Sequence, residues 1–313
     1  MDDCSEGRQR SNDQAEDDSG VRVNGGKNRA AAAKPDSGAT FRVSQIDRLN
    51  RKYGWEPLEL TLGDFEPLFL SHREVEKKGD CGAYVPGVIQ GDRRVKSAVS
   101  RLDWLAIDLD KGEDVDCIIA GVQARGLYTL IHSTHSHLSQ EMEVRLDDFR
   151  KFMGSNPGST DGFRRYLLEI KKFRACFLDD LEVTEWCRDT RDGVVCVARH
   201  APIPKYRLVF PLQTPFSRRD DGGNQQSYEA SWRAKVAAFA KSLGVEFDVS
   251  CTDVSRCFYW PSCKPGAERM ARKIDGQLLD LGAVKVEAED AQPYRSKGPK
   301  SCPADTYAFE GSI

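Results

Sequence analysis

The sequence has no apolar run that approaches the roughly 18 residues of a membrane-spanning helix, so it predicts no membrane partner. The N-terminal segment has neither a basic region nor an apolar stretch, so no secretory signal is expected. The ten cysteines are scattered and form no CxxC pair, which favours reduced thiols over disulfides and predicts no structural zinc. These absences together predict a cytoplasmic protein.

Two further absences narrow the function. No GxxxxGK[ST] loop occurs, so the chain carries no fused P-loop helicase. Neither sign of charge is in large excess, since 46 basic residues stand against 49 acidic ones. This balance argues against a surface that binds polyanions throughout, but it allows a local basic patch.

The composition divides the chain into three parts. Residues 1–39 hold almost no large apolar side chain and are expected to be disordered. Residues 290–313 resemble a second tail or a linker. Between them, residues 40–289 alternate strand-like and helical runs, which is typical of a mixed α/β (α+β) domain.

Apolar periodicity predicts the main elements of that domain. Short runs rich in β-branched and aromatic residues predict strands at 102–109, 127–133, 205–212 and 256–261. Apolar residues at three- and four-residue spacing predict helices over 162–187 and 227–243.

The segment DWLAIDLD ends in two aspartates one residue apart. On a strand, Asp108 and Asp110 share one face while Leu105, Ile107 and Leu109 pack on the other. Two adjacent carboxylates repel each other unless a cation lies between them, and hard cations such as Mg²⁺ or Mn²⁺ prefer oxygen ligands. The same residues also fit a strand that simply ends in a solvated turn.

Three later segments supply polar groups on similar strand-like runs. If the second strand continues, Ser133, His135 and His137 share a face that suits phosphate oxygens or a metal; a polar strand end is the alternative. Lys205 and Arg207 share a face of the third strand and suit a triphosphate, although an ordinary exposed face fits equally. The fourth segment offers Asp248 as a third carboxylate, followed by Ser255 and Arg256, or else a loop with a capping aspartate.

In this order, the four segments resemble the archaeo-eukaryotic primase superfamily, above all the primase-polymerase domains of plasmids, phages and integrated elements. The resemblance covers residues 85–265 and implies an RRM-like catalytic unit joined to a smaller α/β unit, with the active site in the cleft between them. It implies a DNA primase and polymerase that transfers nucleotides from NTP or dNTP to a growing primer. Single-stranded DNA template and a separate replicative helicase are the implied partners.

The resemblance also assigns residue roles. It implies that two divalent ions, Mg²⁺ or Mn²⁺, bind Asp108, Asp110 and Asp248. It implies nucleotide contacts from the residues of the other motifs, which are Ser133, His135, Lys205, Arg207, Ser255 and Arg256.

One departure from the family pattern is a long insert at residues 139–204. It is predicted to be helical, and on such a helix Arg164, Lys171 and Arg174 fall on one side. These cations predict either a DNA-binding accessory or a solvated helix.

Two alternatives remain open. His135-Ser136-His137 could mimic the metal-binding His-x-His strand of an HUH-type replication initiator or relaxase, which forms a covalent tyrosyl-DNA adduct. The other alternative is a non-catalytic RRM-like module that binds nucleic acid, although the aromatic RRM motif is not evident.

Overall fold

The structure is a computed structural model that describes residues 38–48, 53–154, 158–191, 193–219, 223–288 and 290. The tails predicted at 1–39 and 290–313 lie almost entirely outside these residues. The described residues fall within one structural unit, Ala33–Ile313. None of the described helices has the length and apolar character needed to cross a membrane.

The described residues form a mixed α+β fold with five α-helices and several sheets. The helices are α1 (Leu62–Leu70), α2 (Val115–Ala124), α3 (Leu146–Met153), α4 (Thr160–Glu169) and α5 (Gln225–Leu243). The strands are β1 (Thr40–Ile46), β2 (Glu56–Thr61), β3 (Arg73–Glu74), β4 (Ala83–Val85), β5 (Gly87–Ile89), β6 (Val99–Leu109), β7 (Thr129–Ser133), β8 (Ser139–Arg145), β9 (Glu182–Thr190), β10 (Gly193–Ile203), β11 (Tyr206–Ser217), β12 (Phe258–Tyr259), β13 (Ser262–Cys263) and β14 (Ala271–Ile274).

The largest sheet has five strands in the order β14-β7-β11-β6-β5, and every neighbouring pair is antiparallel. A second sheet has the order β12-β4-β1-β2, and a third has the order β8-β10-β9. All four strands predicted from the sequence are present, as β6, β7, β11 and β12. Three of them are neighbours in the five-stranded sheet, which brings their polar ends together.

Strand β6 is buried on both faces, not on one as the alternation alone predicted. Leu105, Ile107 and Leu109 belong to a core that includes residues of α2 and α5. Trp104 and Ala106, on the opposite face, belong to a second core with residues of α1, β1 and β12. A carboxylate on this strand therefore lies in a setting where it requires a partner.

Helix α5 confirms the helix predicted over 227–243. Its Trp232, Val236 and Phe239 are buried against the sheet, as the spacing predicts. The Asn224 side chain caps the first turn, and Gly244 ends the helix in the left-handed conformation at φ 71°.

The helix predicted over 162–187 is wrong in most of its length. Helix α4 ends at Glu169, the chain reverses at Lys172 with φ 60°, and residues from 182 onward form β9. Residues 139–204 thus form a three-stranded antiparallel sheet with two short helices and a core of their own, not a helical insert. The alternating burial of β9 explains why Trp186 belongs to a strand.

The predicted basic helix face is wrong for the same reason. Arg164 lies on α4 and donates to the Asp179 carbonyl at 2.9 Å, but Lys171 and Arg174 lie beyond the end of the helix. Arg174 donates to the carbonyl of Gly112 at 3.0 Å, and Gly112 lies two residues after Asp110 in the sequence. The three cations therefore do not share a helix face.

Candidate active site

A buried ion pair between β6 and β11 lies at the centre of the candidate site. Asp108 and Arg207 are directly opposite in the strand register. The Arg207 guanidinium donates to both carboxylate oxygens, from Nε to Oδ1 at 2.6 Å and from Nη2 to Oδ2 at 3.1 Å. Only 4% of the Arg207 side chain and 8% of the Asp108 side chain are exposed. Because the two-bond geometry is specific, Arg207 fixes the orientation of the first predicted metal ligand.

Arg207 is also held from its other side. Its Nη1 donates to the Tyr259 carbonyl at 2.6 Å, and its guanidinium lies 4.7 Å from the centre of the Phe258 ring. Burial opposes the charge, yet the Asp108 carboxylate raises the pKa of Arg207 overall. Arg207 is therefore buried and paired with Asp108, so the alternative of an ordinary exposed strand face does not hold for it.

Asp110 directly follows β6 and is half-buried. Burial and the neighbouring Asp108 carboxylate raise the pKa of Asp110, while Lys205 and Lys78 act in the opposite sense. The ionised form of Asp110 is thus disfavoured in this setting. A cation bound here would stabilise the ionised form.

Asp248 reaches the same place from a distant part of the sequence. Its backbone N–H donates to the Asp108 carbonyl at 3.0 Å. Its Oδ1 accepts from the Ser250 N–H at 3.0 Å and caps the 3-10 turn Val249–Thr252. Its Oδ2 accepts from Arg256 Nη2 at 3.2 Å and from the Ser250 hydroxyl. Asp248 thus lies beside Asp108 and has a cationic partner of its own.

Asp108, Asp248 and Cys251 each have one possible metal-ligand atom, a carboxylate oxygen or the thiol sulfur, and these three atoms all lie within 4.8 Å of one another. Burial, then the Asp108 carboxylate, raises the pKa of the Cys251 thiol well above its ordinary value, so at neutral pH it is protonated and a poor ligand. The two carboxylates keep free lone pairs, because each oxygen can accept more than one contact. The oxygens of Asp108 and Asp248 fit a hard divalent ion such as Mg²⁺ or Mn²⁺. Asp110, two residues beyond Asp108, is not part of this cluster, although the Asp108 carboxylate influences its pKa.

Ser133 and His135 lie at the end of β7, but only Ser133 is on the strand. The Ser133 hydroxyl is buried, lies 3.0 Å from His72 Nε2 and accepts from the Met270 N–H at 3.0 Å. His135 lies in the following turn, where its Nε2 donates to the Val75 carbonyl at 3.1 Å. The strand does not continue through His137, because a turn closes from the His137 N–H to the Thr134 carbonyl.

Lys205 and Lys78 supply the cations that influence Asp110. Lys205 precedes β11, and its backbone N–H donates to His137 Nδ1 at 3.0 Å. Lys78 begins a 3-10 turn, and its ammonium lies 4.8 Å from the centre of the Tyr259 ring. Burial, then the charge of Arg207, lowers the pKa of Lys78. Sequence analysis missed Lys78, because nothing in its local sequence links it to the distant strands.

Ser255 and Arg256 have different surroundings. Ser255 is buried, and both its N–H and its hydroxyl donate to Asp253 Oδ1, at 2.8 and 2.9 Å. Arg256 is paired with Asp248 across 3.2 Å. The two predicted nucleotide contacts thus have different roles in the structure, since Ser255 stabilises a turn and Arg256 lies at the acidic site.

Comparison with known proteins gives little further information. No family model matches the chain, and no curated protein matches it in sequence. One solved structure that it resembles is the AEP domain of the cyanophage S-2L primase-polymerase, at 12% identity and a TM-score of 0.31, over 80% of this chain and 88% of that domain. A likeness at this TM-score does not establish a shared fold.

Proposed function

We propose that this chain is a DNA primase-polymerase of the archaeo-eukaryotic primase type, which extends or initiates a strand on a single-stranded template from NTP or dNTP. The observation that carries the proposal is the position of Asp248. Its backbone bonds to Asp108 and its carboxylate lies next to that of Asp108, although the two residues come from separate motifs. The order and roles of these motifs are those that the resemblance implies. The RRM-like unit and its smaller α/β neighbour are part of the same proposal.

Asp108, Asp110 and Asp248 would hold two divalent ions, Mg²⁺ or Mn²⁺. Such ions activate the 3′-hydroxyl and stabilise the leaving pyrophosphate in nucleotidyl transfer. Arg207 orients Asp108 through its two hydrogen bonds, and so acts as a positioning residue. Arg256 orients Asp248 in the same way through its hydrogen bond, and a bound nucleotide would compete with Asp248 for this arginine.

Lys205 and Lys78 would face the triphosphate, because both already interact electrostatically with Asp110. Cations fixed near developing charge stabilise it without having to reorganise. Ser133, His135 and Ser255 are the remaining nucleotide contacts that the resemblance implies. The buried hydroxyls of Ser133 and Ser255 serve first to hold the turns around the site.

Replacing His135 or Arg256 by alanine should weaken nucleotide binding about tenfold, a change of about 1.4 kcal/mol, and leave template binding unchanged. Each change removes one donor that the proposal assigns to phosphate. Titration calorimetry with a nucleoside triphosphate and Mg²⁺ measures the effect. Arg272→Ala, an exposed cation on β14, is the matched control. Parent-like affinity in both variants would show that the two assignments are wrong.

The insert is proposed to contact the template through Arg164 on α4 and through Lys171 and Arg174 in the segment that follows it, although not through one helix face. Changing all three to Glu should weaken binding of single-stranded DNA and make its salt dependence shallower, because each phosphate contact releases counterions. Nucleotide binding should be unchanged. Fluorescence anisotropy of a labelled oligonucleotide across a salt series measures both quantities. An unchanged slope would mean that the insert has no part in template binding.

One gel separates this proposal from an HUH-type nuclease. The protein is incubated with labelled single-stranded DNA, nucleotides and Mn²⁺, and the products are denatured. The proposal expects longer DNA and no label on the protein. A covalent protein–DNA adduct without extension would favour the nuclease, although His135 and His137 lie in a turn and not on the strand which that alternative requires.

A further inference from the structure

A cavity of about 650 Å³ lies at the other end of the central sheet from the acidic site. Its lining includes four arginines, Arg42, Arg101, Arg218 and Arg219. Arg101 is on β6, seven residues from Asp108, which corresponds to roughly 23 Å along an extended strand. The cavity is therefore separate from the proposed catalytic residues.

The described lining of this cavity is basic, although two of its arginines already have carboxylate partners. Among the residues that the structure describes, no aspartate or glutamate lines it. Arg42 is paired with Glu59 at 2.8 Å and Arg101 with Asp103 at 2.5 Å. Arg218 donates to backbone carbonyls, which carry no charge, and among the residues that the structure describes no carboxylate is paired with it.

Two of the arginines are fixed before any ligand arrives. Asp103 is fully buried and accepts from Arg101 Nε and Nη2, at 2.5 and 2.8 Å, and from the Arg42 backbone N–H at 2.9 Å. Arg218 Nη2 donates to the carbonyls of Ser97 and Val99, at 2.9 and 3.3 Å. Side chains that are already ordered lose less conformational entropy on binding.

The lining also indicates what kind of ligand would fit. Arg218 and Arg219, the lining arginines with no described carboxylate partner, suit phosphate oxygens, which guanidinium groups bind with planar, charge-assisted hydrogen bonds. The described lining holds no aromatic side chain on which a base could stack, so it offers nothing that distinguishes one base from another. We propose that this cavity binds the phosphodiester backbone of a nucleic-acid strand without reading its bases. This inference does not depend on nucleotidyl transfer at the acidic site.

The test is binding of a labelled thymidine oligonucleotide in EDTA, across a salt series. Replacing Arg218 and Arg219 by alanine should lower affinity at least tenfold near 0.1 M salt. The slope of log affinity against log salt should become shallower by about 1.4, at roughly 0.7 for each phosphate on a single strand. Arg199→Ala with Arg272→Ala removes the same charge from exposed positions outside the cavity lining and should leave the slope unchanged.

A second variant and a competition measurement complete the test. Arg219→Glu changes one exposed side chain, so it should fold like the parent and still weaken binding at least threefold. Inorganic tripolyphosphate should displace the strand only at millimolar concentration. Displacement at micromolar concentration would make the cavity a small-anion site and overturn the assignment to a strand. Parent-like affinity and slope in both the double-alanine and the glutamate variant would overturn the proposal altogether.

Discussion

Asp110→Asn is expected to reduce nucleotide incorporation by about a hundredfold to a thousandfold, the scale on which loss of a preorganised charge-stabilising group acts. The substitution removes a carboxylate that the proposal assigns to the metal ions and keeps the size of the side chain. Asp110 is half-buried and its pKa is raised by burial and by Asp108. Primer extension with Mg²⁺ or Mn²⁺ under single-turnover conditions measures the loss.

The fold should tolerate this change, and the sign of the pKa shift gives the reason. A carboxyl group whose pKa is raised on folding costs stability once it is ionised, above its unfolded pKa. The neutral asparagine side chain avoids that cost, so thermal stability at neutral pH should be equal to the parent's or higher. In the parent, Asp110 should lower stability as pH rises from its ordinary pKa to the raised one.

Asp114→Asn is the matched control for Asp110→Asn. Asp114 caps α2 by accepting from the N–H groups of Asp116 and Cys117, and asparagine serves equally well as a cap. This variant removes one charge from the same segment and should keep parent activity. Full incorporation by Asp110→Asn, or equal loss in both variants, would contradict the metal assignment.

Asp108→Ala is expected to lower the free energy of unfolding by about 3–5 kcal/mol, because it leaves the Arg207 charge buried without its partner. Urea unfolding followed by circular dichroism measures this. Glu59→Ala, which removes the exposed partner of Arg42, should cost less than about 1 kcal/mol.

A double variant tests the reason for this instability. Asp108→Leu with Arg207→Met replaces the whole pair by apolar side chains and should recover most of the lost stability, since such exchanges are often neutral. If Asp108→Ala has the same free energy of unfolding as the parent, Asp108 and Arg207 do not form the buried ion pair described above. Loss of activity in Asp108→Ala could come from this loss of stability, because the buried Arg207 would lack its partner. Asp110 is the cleaner position at which to test catalysis.

The parts of the fold with strong periodicity could be predicted from the sequence. Alternation located β6, and three- and four-residue spacing located α5. Burial of β6 on both faces was not predicted, because periodicity does not reveal what lies beyond Trp104 and Ala106. The apolar residues of segment 170–187 have mixed spacings, which do not distinguish a continued helix from a strand. The structure shows a positive φ at Lys172 and strand β9 from residue 182 onward.

The structure brings together Asp108 and Asp248, two of the three acids proposed from the sequence, whereas the cations around them were harder to predict. Asp108, Asp110 and Asp248 each follow an apolar run, which is a local signal. The pairing of Arg207 with Asp108 depends on the register between two strands that are far apart in sequence. Nothing in the sequence around Lys78 predicts that this residue lies near Asp110. The four arginines that line the cavity come from three separate chain segments, so only the folded chain reveals them as a group.

We propose that the acidic end of β6 supports metal-dependent, template-directed nucleotide transfer. The most direct measurement is incorporation of a labelled nucleotide by the purified full chain on a single-stranded template, with and without a primer. The account predicts incorporation that follows the template sequence, requires Mg²⁺ or Mn²⁺, stops on chelation and resumes when the ion is restored. No incorporation with any NTP or dNTP by a folded protein that binds the template would contradict it.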